Sequence, residues 1–392
     1  MEPPTKRACT AACSLSSLRG TATAAVHADT LAVEEEAMPA WAFSTAEDVA
    51  PPLSLSTTFT VPDSGQGHIY SRISAPTRSR CETLLGSIEG SEEQPAHAVL
   101  YSSGLAAAFA LFAHFLPTRV FISGGYHGTH QVLGQLQKIS VGGRCKCEPL
   151  PSPGELASSL KSGDLIWLET PLNPSCDVAD IKAYVAAARG CPGVHVAVDG
   201  TFAPPPLQRP LLLGADAVMH ATTKSLAGHS DALGGAVCVA SAEVADQLRK
   251  DRMALGSTPG SLEVWLLLRS LRTLHLRVQR QSATATLLAE WLQLATAGDT
   301  SHALSGLIHA VHHPSLKTHP NHAVAIVPRH AFGQMFLNPA QKYSDRPKPK
   351  QQARVVSTMC WCSRFGWVWQ NTGPLSTPTP PYSVHCMCAC SS

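Results

Sequence analysis

The sequence has few charged residues and no long apolar run, and each shortage argues against a class of protein. Charged residues make up only 15% of the 392 residues, and the formal net charge is +2. No basic stripe recurs along one face, which argues against a nucleic-acid partner. No run reaches the roughly 20 apolar residues of a membrane helix, since stretches such as residues 105–116 contain His or are too short. We therefore predict neither nucleic-acid nor membrane partners.

Metal-ligand spacing is also missing, although the chain has 13 cysteines. Eight are scattered through residues 1–240, and without a secretory signal we expect reduced thiols and a cytoplasmic protein. Lys6, Arg7 and Arg19 make the first twenty residues only weakly similar to an organelle transit peptide, so a disordered tail is favoured. Near the C-terminus stand Cys360, Cys362, His385, Cys386, Cys388 and Cys390. Their spacing lacks the paired Cys-x₂₋₄-Cys of zinc sites, and we predict no metal.

Alternating strand and helix patterns predict an α/β fold with a mostly parallel sheet. Apolar runs indicate strands at 119–122, 164–168, 194–198, 217–220 and 236–239, and helical patterns lie at 105–114 and 180–189. Ligands bind at the carboxyl ends of strands in such sheets. Glu169, Asp199 and Lys224 fall at or just beyond these ends, which makes them candidates for a site.

Composition divides the chain into five predicted segments. Ser261 to Leu294 is expected to form one long helix joining a large domain to a smaller one. Residues beyond about 340 show no sustained period of 2 or 3.6. The segments are a disordered tail (1–20), an extended arm (21–70), a large domain (71–255), a connecting helix with the start of a C-terminal domain (256–339), and a tail expected to be disordered (340–392).

Two candidate residues have chemistry that suits an aldehyde cofactor with a pyridine ring. Lys224 follows an apolar strand among small residues, where a lysine can condense with an aldehyde; most lysines, however, are solvated surface groups. Asp199 ends another strand, where a carboxylate can pair with a protonated ring nitrogen. A turn or helix-capping aspartate is the competing interpretation.

Two further segments suit the phosphate and ring of such a cofactor. Ser103 and Gly104 precede a strong helix, whose free N–H groups and dipole attract phosphate, although plain capping by Ser103 is an equal alternative. Tyr126 stands in a Gly-Gly-Tyr-His-Gly turn and could stack on a planar ring, or be only a half-buried turn residue. These segments occur along the chain in the order expected of one pocket.

Several long motifs in this order resemble the Cys/Met-metabolism enzymes that depend on pyridoxal 5′-phosphate (PLP). These are the transsulfuration enzymes: cystathionine gamma-synthase, beta-lyase, gamma-lyase and relatives. The matching segments are Tyr70-Ser71-Arg72 with Pro76-Thr77-Arg78, Leu168-Glu169-Thr170-Pro171-Leu172-Asn173-Pro174, Val198-Asp199-Gly200-Thr201-Phe202, and Thr223-Lys224 with Gly228-His229-Ser230-Asp231. The run Ala203-Pro204-Pro205-Pro206 is closest to the fungal-type branch.

The resemblance implies PLP-dependent transferase fold type I (aspartate aminotransferase-like) and a set of site residues. Lys224 and Tyr126 would be catalytic. Residues implied to bind the cofactor are Tyr70, Arg72, Ser103, Gly104, Leu105, Tyr126, Glu169, Asn173, Asp199, Thr201, Thr223 and Lys224. Tyr70 and Arg72 would reach the cofactor of a neighbouring subunit, so the resemblance implies a homo-oligomer, dimer or tetramer, with shared sites.

The implied activity is cleavage or formation of C–S bonds in cystathionine-type amino acids by elimination or replacement. Two departures oppose it. Ala221 stands where the family has Ser three residues before the lysine, and a Leu-Gly-Gly-x-Glu-Ser loop and an Arg-Leu-Ser-x-Gly-x-Glu strand are not found. The second departure makes the C-terminal domain incomplete and removes an expected clamp for the substrate carboxylate. The alternative is therefore a PLP-binding but catalytically impaired member.

Overall fold

The structure is a computed structural model that describes most of the predicted large domain. The described residues are 50–60, 67–139, 145–296, 301–305, 308 and 310–325, with the backbone of 336–337 and 357–358. The predicted disordered tail at 1–20 lies outside them, as does that at 340–392 apart from the backbone of 357–358.

Helices and strands alternate along the described chain. The helices are α1 (Pro76–Glu89), α2 (Gly104–Phe115), α3 (His127–Ile139), α4 (Pro153–Ala157), α5 (Ile181–Arg189), α6 (Ala242–Leu255), α7 (Ser261–Leu271), α8 (Leu274–Thr296) and α9 (His322–Ala325), with a 3-10 helix at Pro210–Leu213. The strands are β1 (His97–Tyr101), β2 (Arg119–Phe121), β3 (Lys146–Glu148), β4 (Asp164–Glu169), β5 (His195–Asp199), β6 (Ala217–His220), β7 (Gly235–Val239), β8 (Phe336–Leu337) and β9 (Ser357–Thr358). Strands β8 and β9 pair separately.

The first seven strands form one sheet in the order β1-β7-β6-β5-β4-β2-β3. Neighbouring strands from β3 to β6 pair in parallel, while β7 runs antiparallel to both β6 and β1. The predicted mostly parallel α/β sheet is confirmed. The register pairs Glu169 with Asp199 and Asp199 with Met219, so the carboxyl ends of β4, β5 and β6 meet at one edge.

Both faces of the sheet are buried, which explains why its central strands are continuous apolar runs. Successive side chains point to opposite faces. On β4, Leu165 and Trp167 pack in the core beneath α2, whereas Ile166 and Leu168 pack in a second core with α5. Helices α1, α7 and α8 cover the remaining part of the sheet. The enclosed strands leave only their ends open to a ligand.

The long helix predicted from Ser261 to Leu294 is broken. Helix α7 ends at Leu271 and α8 begins at Leu274. At the junction, the Thr273 hydroxyl donates to the Ser270 carbonyl at 3.3 Å. A threonine hydroxyl that bonds to nearby backbone competes with the helical pattern.

The described helices include none long and apolar enough to cross a membrane. No disulfide joins any two of the six described cysteines.

Candidate cofactor site

A buried carboxylate stands at the centre of the sheet edge. Asp199 ends β5 and is 5% exposed, and its Oδ1 accepts the Thr201 N–H at 3.0 Å. Burial raises the pKa of the Asp199 carboxyl, and hydrogen bonding from Thr201 and the nearby His220 imidazole oppose that rise. A carboxylate buried in this way is stabilised by a cationic partner.

Thr201 connects that carboxylate to the segment that carries the lysine. Its side chain hydrogen-bonds to Asp199, and its Oγ1 accepts the Ala221 N–H at 2.9 Å. The turn that follows β6, residues 221–228, is called the lysine turn below. Within it, Lys224 is half-buried and its N–H donates to the Ala221 carbonyl at 3.1 Å. Thr201 therefore links the Asp199 carboxylate to the backbone of the turn that carries Lys224.

Glu169 ends β4 beside Asp199 but has a different environment. Its Oε2 accepts the Tyr126 N–H at 2.7 Å and its Oε1 accepts the Asn173 N–H at 2.9 Å. Burial, followed by the neighbouring Asp199 carboxylate, raises the pKa of Glu169 to about 7. Glu169 thus fixes the two loops that carry Tyr126 and Asn173. The sequence pattern suggested cofactor binding for Glu169 but did not indicate these backbone partners.

The loop before Tyr126 depends on glycine. Gly125 has φ +81°, a left-handed conformation that side chains rarely adopt, and a Cβ there would collide with Glu169 Oε2. At Gly128, a Cβ would lie 2.5 Å from Tyr126 Cε1 and 2.9 Å from Leu105 Cδ2. The Tyr126 ring and the start of α2 therefore converge around Gly128.

Helix α2 presents its N-terminus to the same place. The Ser103 side chain accepts the Ala106 N–H at 3.1 Å, so the capping interpretation of Ser103 is correct. A helix leaves its first N–H groups without internal partners, and those of Gly104 and Leu105 remain for a ligand. A Cβ on Gly104 would lie 2.8 Å from Ala221 Cβ, so the helix start touches the lysine turn.

The Thr223 hydroxyl bonds to the backbone of Gly234, the residue directly before β7. Its Oγ1 accepts the Gly234 N–H at 3.1 Å and lies 3.3 Å from the Gly234 carbonyl. This pairing holds the lysine turn against the start of β7. The neighbouring Thr222 is 3% exposed and its Oγ1 would lie 2.5 Å from a Cβ on Gly234.

Tyr70 and Arg72 lie beside the end of α6 and the loop after it, where the Thr258 hydroxyl donates to the Arg72 carbonyl at 3.5 Å. Tyr70 is 40% exposed, and the Arg72 guanidinium lies 5.4 Å from the centre of its ring. Arg72 Nη1 donates to the Met253 carbonyl at 3.1 Å. None of the hydrogen bonds described for the sheet-edge residues involves this pair.

A buried contact between a histidine and a glutamate, next to the site, was not predicted from the sequence. His220 Nε2 lies 2.5 Å from Glu89 Oε1, and both side chains are almost completely buried. His220 ends β6, directly before the lysine turn, and its imidazole influences Asp199. The position of His220 at the end of a strand could have marked it as a candidate in the sequence. Its partner Glu89 could not be found in the same way, because it lies 131 residues away.

The residues present fit PLP. Asp199 provides a buried carboxyl that can pair with a protonated ring nitrogen, and the first N–H groups of α2 suit a phosphate. Tyr126 supplies an aromatic ring, and Lys224 supplies an amine from the lysine turn, whose Ala221 touches the start of α2. Among the described residues, no group of His, Cys, Asp and Glu could hold a metal ion.

Comparison with known proteins agrees with this arrangement. Residues 29–359 match the family described as Cys/Met metabolism PLP-dependent enzyme. A probable cystathionine gamma-synthase of Herpetosiphon aurantiacus is 34% identical over 273 residues, which cover 69% of this chain and 81% of that protein. The cystathionine beta-lyase MetC of Bacillus subtilis is 36% identical over 260 residues, covering 64% of this chain and 61% of that protein.

Solved structures give the same result. The cystathionine gamma synthase of Xanthomonas oryzae pv. oryzae in complex with cystathionine superposes with a TM-score of 0.69 at 33% identity, covering 81% of this chain and 79% of that chain. The cystathionine gamma lyase CalE6 of Micromonospora echinospora has a TM-score of 0.69 at 34% identity, with 79% of each chain covered.

Proposed function

The chain belongs to the Cys/Met metabolism PLP-dependent enzyme family, and from this premise we propose that it cleaves or forms the carbon–sulfur bonds of cystathionine-type amino acids. The observation that carries the proposal is the hydrogen-bonded connection from Asp199 through Thr201 to the lysine turn. It joins the anion needed by the ring to the amine needed by the aldehyde. Relatives that share the family include both synthases and lyases of cystathionine.

The residues of the chain divide the work among themselves. When bound, PLP supplies an aldehyde carbon and a cationic ring that withdraws electrons. Asp199 would hold the proton on the ring nitrogen. Lys224 would carry the cofactor on Nζ until the substrate amino group takes its place, and the freed Nζ would then take the proton from the substrate α-carbon. Tyr126 would stack on the ring and assist proton transfers.

Hydrogen-bond donors would hold the rest of the cofactor. The Gly104 and Leu105 N–H groups, Ser103 and Thr223 would surround the phosphate, and Asn173 would bond the ring hydroxyl. Ala221 carries no hydroxyl for that phosphate. Thr201 would act by fixing Asp199 and the Ala221 N–H together. Glu169 would orient Tyr126 and Asn173 through their N–H groups.

Borohydride reduction followed by peptide mass mapping tests the assignment of Lys224. We expect a pyridoxyl adduct on Lys224 and its loss in Lys224→Ala, while the control Lys250→Ala, in α6 away from the sheet edge, keeps it. The activity itself is tested by measuring free thiol during incubation with cystathionine, or with cysteine and an activated homoserine. An adduct on another lysine, or neither release nor consumption of thiol by cofactor-loaded protein, would refute the proposal.

We further propose that the working unit is a homo-oligomer in which Tyr70 and Arg72 serve the neighbouring subunit's site. The exposure of this pair and the planar fork of arginine, which suits phosphate, support it. A closed two-fold arrangement would make both sites equivalent. Mixing Arg72→Ala chains with Lys224→Ala chains should restore part of the activity, since one hybrid site has both residues intact. A monomeric active protein, or hybrids without rescue, would contradict shared sites.

A further inference from the structure

The carbonyl groups of the lysine turn need partners because the turn is buried. Ser225 is 6% exposed and Leu226 is 1% exposed. Inside the turn, the Ala227 N–H donates to the Thr222 carbonyl at 2.8 Å and the Gly228 N–H to the Lys224 carbonyl at 2.7 Å. As at a helix end, the next carbonyls, those of Ser225 and Leu226, accept neither of these two bonds. Buried carbonyls without partners are costly.

The Arg277 guanidinium donates hydrogen bonds to two of these carbonyls. Arg277, in the first turn of α8, donates from Nη1 to the Ser225 carbonyl at 2.8 Å and from Nη2 to the Leu226 carbonyl at 3.3 Å. Nη2 also donates to the Ser270 carbonyl at 2.8 Å, and Nε to the Thr273 hydroxyl at 3.1 Å. Burial lowers the pKa of this guanidinium. All four bonds end on neutral oxygens, so the group serves to cap rather than to pair with a carboxylate.

The break between α7 and α8 makes this reach possible. The Ser270 carbonyl, at the junction where α7 stops, accepts the Thr273 N–H and hydroxyl as well as Arg277 Nη2, so Arg277 joins the junction to the lysine turn. His229 strengthens the same contact, since its Nδ1 lies 2.5 Å from the Ala227 carbonyl and 3.2 Å from Ser270 Oγ. The lysine turn is thus attached to the helix junction through three successive carbonyls.

Gly228 is shaped to this guanidinium. It has φ +69°, and a Cβ there would collide with Arg277 Nη1. Arginine suits the position because its rigid planar fork bonds several oxygens at once, whereas the lysine ammonium is a point charge on a flexible stem. The contact between Gly228 and Arg277 Nη1 therefore accounts for a glycine at position 228 and for an arginine at position 277.

We propose that Arg277 is a positioning residue whose guanidinium caps the carbonyl end of the lysine turn and so fixes the direction of the Lys224 side chain. The inference rests on the proposed role of Lys224. Upstream, Thr201 Oγ1 holds the Ala221 N–H, and downstream, Arg277 holds the carbonyls of Ser225 and Leu226. Lys224 lies between these two anchors. Loss of one anchor releases the turn without removing any atom that contacts the cofactor.

The experiment compares Arg277→Met and Arg277→Lys with the control Arg280→Met in the holoenzyme. Arg280 lies three residues further along α8 and is exposed. We expect Arg277→Met to lower kcat by about tenfold to hundredfold, the size of effect produced by small misplacement of a reacting group. We also expect faster hydrogen exchange at Ala227 and Gly228, unchanged exchange in β7, and a shifted pH midpoint for the cofactor's absorbance. Arg277→Lys should lie between, and Arg280→Met should match the unmodified protein.

Mapping the pyridoxyl adduct in the unmodified protein separates the two hypotheses. An adduct outside Lys224 overturns the proposed function. If the adduct is on Lys224 and both Arg277 variants match Arg280→Met in exchange, absorbance midpoint and kcat, the positioning role is wrong. Should Arg277→Met be insoluble, Arg277→Lys decides by the same readouts, since it keeps the charge and loses only the fork.

Discussion

The sheet edge and the N-terminal arm both carry predicted site residues, but they hold them differently. At the edge, Asp199 is 5% exposed and is bonded to Thr201, which in turn bonds the lysine turn. Here the arm means the described residues 50–60 and 67–74, which extends the predicted arm (21–70) to include Arg72. In it, Tyr70 is 40% exposed, and the one ring contact described for it is with the Arg72 guanidinium. The edge residues are bonded to one another within one chain, whereas the side chains of Tyr70 and Arg72 in the arm are exposed.

The difference lies in what is anchored. The arm's backbone is tied to the domain, since the Ser54 N–H donates to Thr77 Oγ1 at 3.0 Å and Trp265 Nε1 donates to the Pro51 carbonyl at 2.9 Å. Its apolar side chains are not covered: Leu55 is 71% exposed and Ile69 is 48% exposed. An arm with a fixed backbone and uncovered side chains is suited to contact a second molecule. Substitutions at four positions test this contrast.

The largest effect is expected at Asp199. Removing one partner of a buried charge pair costs about 2–5 kcal/mol, so Asp199→Ala should lose most of its PLP affinity and turnover. Asp199→Asn keeps a hydrogen-bonding side chain without the charge, and should retain the cofactor better while remaining nearly inactive. PLP titration and kcat check both variants. Near-normal turnover in Asp199→Asn would mean that the carboxylate is structural.

Gly125→Ala should have the next largest effect. The added Cβ requires a strained positive φ and meets Glu169 Oε2, so we expect a loss of about 2–3 kcal/mol in the free energy of unfolding. Urea denaturation measures it. Gly134, whose Cβ would meet nothing within 4 Å and which lies inside α3, is the matched control. A stable Gly125→Ala protein would show that the loop is not constrained.

Glu169 should make stability depend on pH. Its folded pKa is raised to about 7, so between about pH 4.5 and 7 the folded state binds more protons than the unfolded state. The free energy of unfolding contributed by this group is therefore fully present below pH 4.5 and is lost as pH rises through 7. For a half-buried carboxyl we expect about 1–2 kcal/mol. Denaturation of cofactor-free Glu169→Gln at several pH values should show a flatter profile, and an unchanged slope would contradict the assignment.

Arg72→Ala should change the stability of the chain least. Its described side-chain hydrogen bond is exposed and ends on the Met253 carbonyl, and surface substitutions of this kind usually stay within about 0.5 kcal/mol. PLP affinity should nevertheless fall if, as proposed, the guanidinium serves the phosphate bound in a neighbouring subunit. Unfolding and PLP titration, measured together, separate the two effects. A stability loss as large as that of Gly125→Ala would place Arg72 with the sheet edge and remove the contrast.

Local sequence predicted five of the seven strands of the large sheet and missed β1 and β3. Strand β6 matches its predicted bounds, β4 and β5 agree within one residue, and α2 begins directly after the predicted Ser103 cap. Apolar periodicity and charged end residues are local signals, and they were sufficient to align Glu169, Asp199 and Lys224 at one edge. Glu169 and Asp199 end their strands, and Lys224 lies in the turn that follows β6.

Short or polar elements escaped sequence analysis. Strand β3 has only three residues and is mostly exposed, so its pattern carries no apolar period. The break at Thr273 was hidden within a run that is helical on both sides. Local preference at such places is weak, and tertiary contacts decide the outcome.

The sequence by itself determined the family, the strand-end residues and the order of the cofactor motifs. Only the tertiary structure decided their partners: Glu169 with the N–H groups of Tyr126 and Asn173, and Arg277 with the carbonyls beside Lys224. The physical reason is distance along the chain. Backbone groups are present at every residue, so no residue type marks which carbonyl or N–H a side chain 43 or 52 positions away will bond, and that choice is made when the sheet and helices pack.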